Sequence, residues 1–82
     1  MIKILLLKTG VLLITKIEEE PSELGEPDCK MTKPYIITDT GMMPWMSLFT
    51  AQDEMMIHSD SILTIVSPTE EYLDKYQSLI SK

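Results

Sequence analysis

The sequence predicts a small, mostly β domain with one C-terminal helix, and three observations carry that prediction. Apolar and β-branched runs with period-two alternation recur across residues 2–66. Turn-type residues such as Thr9-Gly10 and Asp39-Thr40-Gly41 separate them. The period changes to that of a helix only after Ser67. Five short strands and one helix in 82 residues point to one domain over 1–82, a strongly bent five-stranded SH3-like barrel.

Ile2 to Lys8 and Val11 to Ile17 are the first two predicted strands. In the second, Val11, Leu13, Thr15 and Ile17 share one face and Leu12, Ile14, Lys16 and Glu18 the other. Both faces are partly apolar, as in a barrel whose outside is also contacted. Glu18 to Asp28 follows with six acids and no base, interrupted by Pro21, Gly25 and Pro27, and is expected to be an exposed, solvated loop. It lacks the Asp-rich spacing of a calcium loop. Cys29 to Thr38 alternates again as a strand, where Pro34 demands an edge or a bulge. Trp45 to Thr50 and Glu54 to His58 read as one long bent strand or two pieces, and Ser61 to Val66 as the last strand. Trp45 and Phe49 would share a strand face in the core or an interface.

The helix is expected over about 67–80. Ser67 would cap it, Pro68 would take its first position, and Glu70 stands three residues after the cap. Tyr72, Leu73, Tyr76, Leu79 and Ile80 form one apolar stripe, and Tyr72, Leu73 and Tyr76 are expected to pack on the barrel.

Composition narrows the function. The chain carries 13 acids and 7 bases, a net charge of −6, and the whole excess lies in the acidic loop. One Cys and one His exclude a Cys/His zinc centre and a disulfide framework. Cys29 reads as a small apolar filler, and there is no nucleophile–base pair, phosphate loop or metal cluster, so neither an enzyme nor a cofactor is expected. The apolar stretch near Met1 is interrupted by Lys8 and has no small-residue cleavage site, and no run is long enough to span a bilayer. The expectation is therefore a cytoplasmic protein without a membrane partner. A body this small has little interior for a chain that is 44% hydrophobic, so another copy is expected to cover part of its apolar surface.

Two stretches resemble the Sm-like family, which includes Sm, LSm and bacterial Hfq proteins. Ile57-His58-Ser59-Asp60-Ser61-Ile62-Leu63-Thr64-Ile65 is similar to the family's I-R-G-x-x-I-x-x-I segment, with His58 for Arg and Ser59 for Gly. Asp28-Cys29-Lys30-Met31-Thr32 is similar to its D-x-x-M-N motif, with Thr32 for Asn. Order and spacing extend the resemblance over roughly residues 2–66. The family usually opens with a helix, whereas this chain begins almost directly with a strand and carries its helix at the other end. Small variants of this kind occur in phage or environmental sequences.

The resemblance implies a homo-oligomeric ring in which each copy pairs its fourth strand with the fifth of the next. The interface would involve Met46, Leu48, Met55, Met56, Ile57, Ile62, Leu63 and Ile65, from the Met-rich and Ile-rich strands. It also implies that the two motifs meet on loops at the rim of a central pore and bind single-stranded RNA. Lys30 would then take the stacking position, Thr32 the base-reading position and His58 the Arg position, flanked by Ser59 and Asp60. Lys has no plane to stack on a base and Thr offers one hydroxyl in place of an amide, so binding is expected to be weak. The acidic balance and the lack of Arg push the same way. The alternative is an assembly module of the same fold that holds protein partners and has no nucleic-acid role.

Overall fold

The computed structural model describes residues 1–81. Six strands, β1 (Ile2–Leu7), β2 (Leu12–Glu19), β3 (Cys29–Thr38), β4 (Gly41–Pro44), β5 (Glu54–Ile57) and β6 (Ile62–Val66), precede one helix, α1 (Glu70–Ile80). All pairings are antiparallel, and the strand order is β4-β3-β2-β1-β6, with β5 paired to β3 off that path. The mostly β expectation with a C-terminal helix holds. The count of five strands does not, and the sheet is open rather than closed into a barrel.

The sixth strand has a physical origin in β3. Residues 29–32 of β3 pair with β5, and residues 35–38 pair with β4. Between them the register against β2 slips, because Ile14 faces Tyr35 while Lys16 faces Thr32. Two residues of β3, Lys33 and Pro34, thus oppose Thr15 alone, which is a β-bulge. Lys33 has a positive φ of 52° there, and Pro34 brings no N–H that would need a partner. The Pro34 expectation of a bulge is met. The bulge bends β3, so the opposing chain leaves the ladder after Pro44 and rejoins it at Glu54. Its ends are tied by Trp45 N–H to Pro34 O at 2.9 Å and Lys33 N–H to Asp53 O at 2.6 Å.

This detour corrects the strand expected over Trp45–Thr50. Met46 has φ 62°, and the N–H groups of Phe49 and Thr50 bond back to Met46 O, closing a turn. Trp45 packs on the core, but Phe49 is 82% exposed, so the two do not share a strand face.

The main core joins Leu5, Leu7, Leu13, Cys29, Met31 and Ile57, all at alternating inward positions of β1, β2, β3 and β5. Leu13 and Ile14 point to opposite faces of β2, yet both are fully buried. Leu13 belongs to the main core. Ile14 lies opposite Tyr35, whose ring meets Tyr76 of α1 edge-on at 5.6 Å. The helix therefore supplies a second cover, as the two-sided apolar pattern of β2 anticipated.

Helix α1 starts later than the spacing predicted. Thr69 is the N-cap, its Oγ1 accepting from the Tyr72 N–H at 3.3 Å, while Ser67 is drawn away by a 2.8 Å bond from Lys3 Nζ. Tyr76 is fully buried and its hydroxyl reaches the bulge, 2.7 Å from Lys33 O and 3.3 Å from Thr32 O. Burial pushes the Tyr76 hydroxyl up to about 12, partly offset by the backbone of Lys16. Thr15, the other buried polar side chain, lies 2.9 Å from Lys16 O and 3.1 Å from Thr32 O. Carbonyls at and beside the bulge thus accept from one tyrosine and one threonine.

Candidate functional site

The residues expected to form one binding site fall into three separate places. At the first, the loop before β3 meets the 3₁₀ turn Ser59–Ser61. Asp28 Oδ1 accepts from the Ser59 N–H and Oδ2 from the Ser59 hydroxyl, each at 2.7 Å. These two bonds, the hydroxyl first, hold the Asp28 carboxyl below its usual value. They join the Asp28 motif to the Ile57-His58-Ser59 motif across 31 residues of sequence, so the two segments do meet. His58, Ser59 and Asp60 are exposed beside this junction, on a shallow concavity also lined by Ser22, Glu23 and Glu26. Its charged neighbours are acidic.

Lys30 stands elsewhere. It lies inside β3, opposite Glu18 on β2 and Met56 on β5. Its ammonium is 3.3 Å from Glu20, 3.7 Å from Glu18 and 3.7 Å from Glu54. The Glu20 bond first, then the charges of Glu18 and Glu54, raise the Lys30 pKa. A lysine held by three carboxylates is a poor phosphate ligand, because an incoming phosphate must displace them. Thr32 is farther still. It pairs with Glu54, four residues before His58, which at strand rise is about 13 Å. Lys30 and Thr32 are therefore corrected from loop residues at a shared pocket to outward strand positions. The loop ends at Asp28, and strand alternation from there sets which neighbours each residue meets.

The expected interface residues divide as well. Met46, Leu48, Met56, Leu63 and Ile65 are exposed. Ile57 is buried in the protomer's own core, which corrects its assignment to an intersubunit surface, and Met55 and Ile62 pack half-buried against that core. Leu63 is the most exposed of the large apolar residues of β6 for a local reason. Leu7 faces Ile62 while Leu6 faces Thr64, so Leu63 is the extra residue of a second bulge.

Cys29 is buried. Burial first, then the charges of Asp28 and Glu19, raises its thiol pKa, so the group stays protonated at neutral pH and fills space. No group of three or more metal-ligating side chains occurs among the described residues, and no helix there is long and apolar enough to cross a membrane.

The feature sequence reasoning missed is the bulge lock. The signals were present separately, as Pro34 within a strand and Tyr76 in the apolar stripe of a helix. Nothing in their spacing said that one would close on the other.

These features define a class: a small antiparallel β domain with a helical cover, open sheet edges and an acidic corner joining two distant segments. The chain belongs to the family of unknown function DUF6561, which matches it over residues 1–81. No curated protein matches it.

Proposed function

We propose that the protein is a self-assembling Sm-like module, in which copies join through the open edges of the sheet into a homo-oligomeric ring. The observation that carries this reading is the state of those edges. Among the described residues β6 pairs only with β1 and β5 only with β3, leaving one backbone edge of each free. Such edges are templates for another chain, and β6 presents Leu63, Ile65 and Val66 where solubility would favour charge. Total exposure agrees. A folded monomer of 9.4 kDa has about 5,000 Å² of accessible surface. This chain has 5662 Å². The excess has the scale of one partner's share of a standard interface, about 800 Å².

The strand order, with the last strand beside the first and the third beside the second, is compatible with the SH3-like arrangement of the Sm-like family. Mass by light scattering tests the reading. A multiple of 9.4 kDa at micromolar concentration is expected, and a strict monomer there overturns it.

A second reading, weak binding of single-stranded RNA at the ring's loops, is favoured by one observation: Asp28 and Ser59 bring the two motif segments together beside exposed His58. The acidic surroundings and the engaged Lys30 weigh against it, and favour an assembly role with protein partners. Titration with oligo-U and oligo-A at low and high salt separates the two. Absence of binding at low salt removes the RNA role, and His58→Ala without effect on a measured affinity removes His58 from it.

A further inference from the structure

The turn between β4 and β5 is apolar and exposed. Leu48 and Phe49 at its tip are 87% and 82% exposed, while Leu63 and Ile65 of β6 are 63% and 51% exposed. The two patches therefore leave each other uncovered within one chain. They also coincide with the two longest uncharged stretches of the sequence, Thr40 to Gln52 and Ser61 to Thr69. All twenty charged side chains lie outside them. One stretch runs along β4 and its following turn, and the other along β6, the two ends of the strand order.

We propose that the turn Met46–Phe49 is an arm that docks on β6 of a second copy of this chain, seating Leu48 and Phe49 against Leu63 and Ile65. The inference rests on the ring reading and adds to it what holds neighbouring copies together. The edge of β5 is only four residues long, about 14 Å of strand, too little to bury a standard interface by backbone pairing. The arm leads directly into that edge at Glu54, so a neighbour paired to β5 lies within its reach. Neither patch brings a charge that would have to be desolvated, and the turn supplies a leucine and an aromatic anchor. The contact is heterologous. Each copy gives its arm on one side and receives one on the other, the geometry that generates rings when the rotation closes.

Sedimentation and light scattering across a concentration series test this with the full chain, Leu48→Ser/Phe49→Ser, and Leu24→Ser. Leu24 is a fully exposed apolar residue in the acidic loop and serves as the control. The arm variant is expected to move the midpoint of assembly to at least tenfold higher concentration, and Leu24→Ser to leave it in place. Phe49→Cys mixed with Ile65→Cys, at a concentration where light scattering shows the mixture assembled, provides a readout of proximity. Oxidation should yield a disulfide-linked dimer containing one of each chain, since the native Cys29 is buried. A wild-type oligomer whose midpoint is unchanged in the arm variant, or the absence of the mixed disulfide, overturns the arm and leaves the ring standing. A wild-type monomer at every concentration overturns both.

Discussion

The bulge and the acidic corner both tie distant segments together by side-chain hydrogen bonds, and they differ in almost everything but the bonds. At the bulge, the Tyr76 hydroxyl joins α1 to β3 with its side chain fully buried. At the acidic corner, the Asp28 carboxylate joins the loop to the turn at Ser59 in contact with water. The bonds at the corner are shorter on average and one partner is charged. Yet the bulge should matter far more to stability, because water competes at the corner and is excluded at the bulge. A lost bond at the corner is replaced by solvent, whereas carbonyls stranded under the helix are not.

The comparison breaks most visibly if the helix is removed. A chain ending at Val66 loses Tyr76 and uncovers Ile14 and the bulge carbonyls. It is expected to be insoluble or to lack a cooperative urea transition, and a stable, soluble product would show that the helix is dispensable. Tyr76→Phe is the narrower probe. It keeps the ring against Tyr35 and leaves Thr32 O to Thr15, but takes the hydroxyl away from Lys33 O, with an expected cost of about 1–3 kcal/mol in urea unfolding. It also carries a pH signature. Because the folded-state value of Tyr76 is raised to about 12 from 10.0, its contribution is complete below pH 10 and is lost as pH climbs toward 12. The wild type should lose stability through that window, and Tyr76→Phe should lose less.

At the corner the expected effects are local. Asp28→Asn should speed hydrogen exchange at the Ser59 amide while scarcely moving the unfolding midpoint. The lowered Asp28 value sets its acid limit: the tie is complete above the ordinary carboxylate value of 3.8 and is lost as pH falls below it. The smallest effect is expected at Lys30. Lys30→Met removes one cation from among three carboxylates at the surface, and its midpoint should stay near wild type at neutral pH. A large loss there would mean that surface ion pairs hold β2, β3 and β5 together.

Legibility in the sequence followed locality. β1, β2, β3 and β6 were readable because period-two patterns and their turns are written within a few residues. The helix was readable from its stripe, but its start was not, since the competition of Lys3 for Ser67 is tertiary. Trp45–Phe49 misled because aromatic and apolar residues favour a strand. Only the bend at Lys33-Pro34, on a different segment, sends that chain off the ladder. The candidate site was half legible. Asp28 and Ser59 meet as the motifs implied, while Lys30 and Thr32 do not join them, because the loop ends one residue after Pro27 and not at Thr32. Where a side chain points in β3 depends on where the strand begins, and that boundary is set by the pairing of Cys29 with Ile57 and Glu19.

The pairing of β1 with β6 has a consequence for the time course of folding. Leu5 is synthesised sixty residues before its partner Ile65. Hairpins β1–β2 and β3–β4 can form as soon as they are made. The sheet cannot be completed until the last strand has left the ribosome, followed by a helix that must then find the bulge. Non-local closure of this kind places refolding in the slow range of small domains, milliseconds to seconds. Until it is finished, the edge of β1 that will receive β6 stands open to any neighbouring chain, including one of the same sequence.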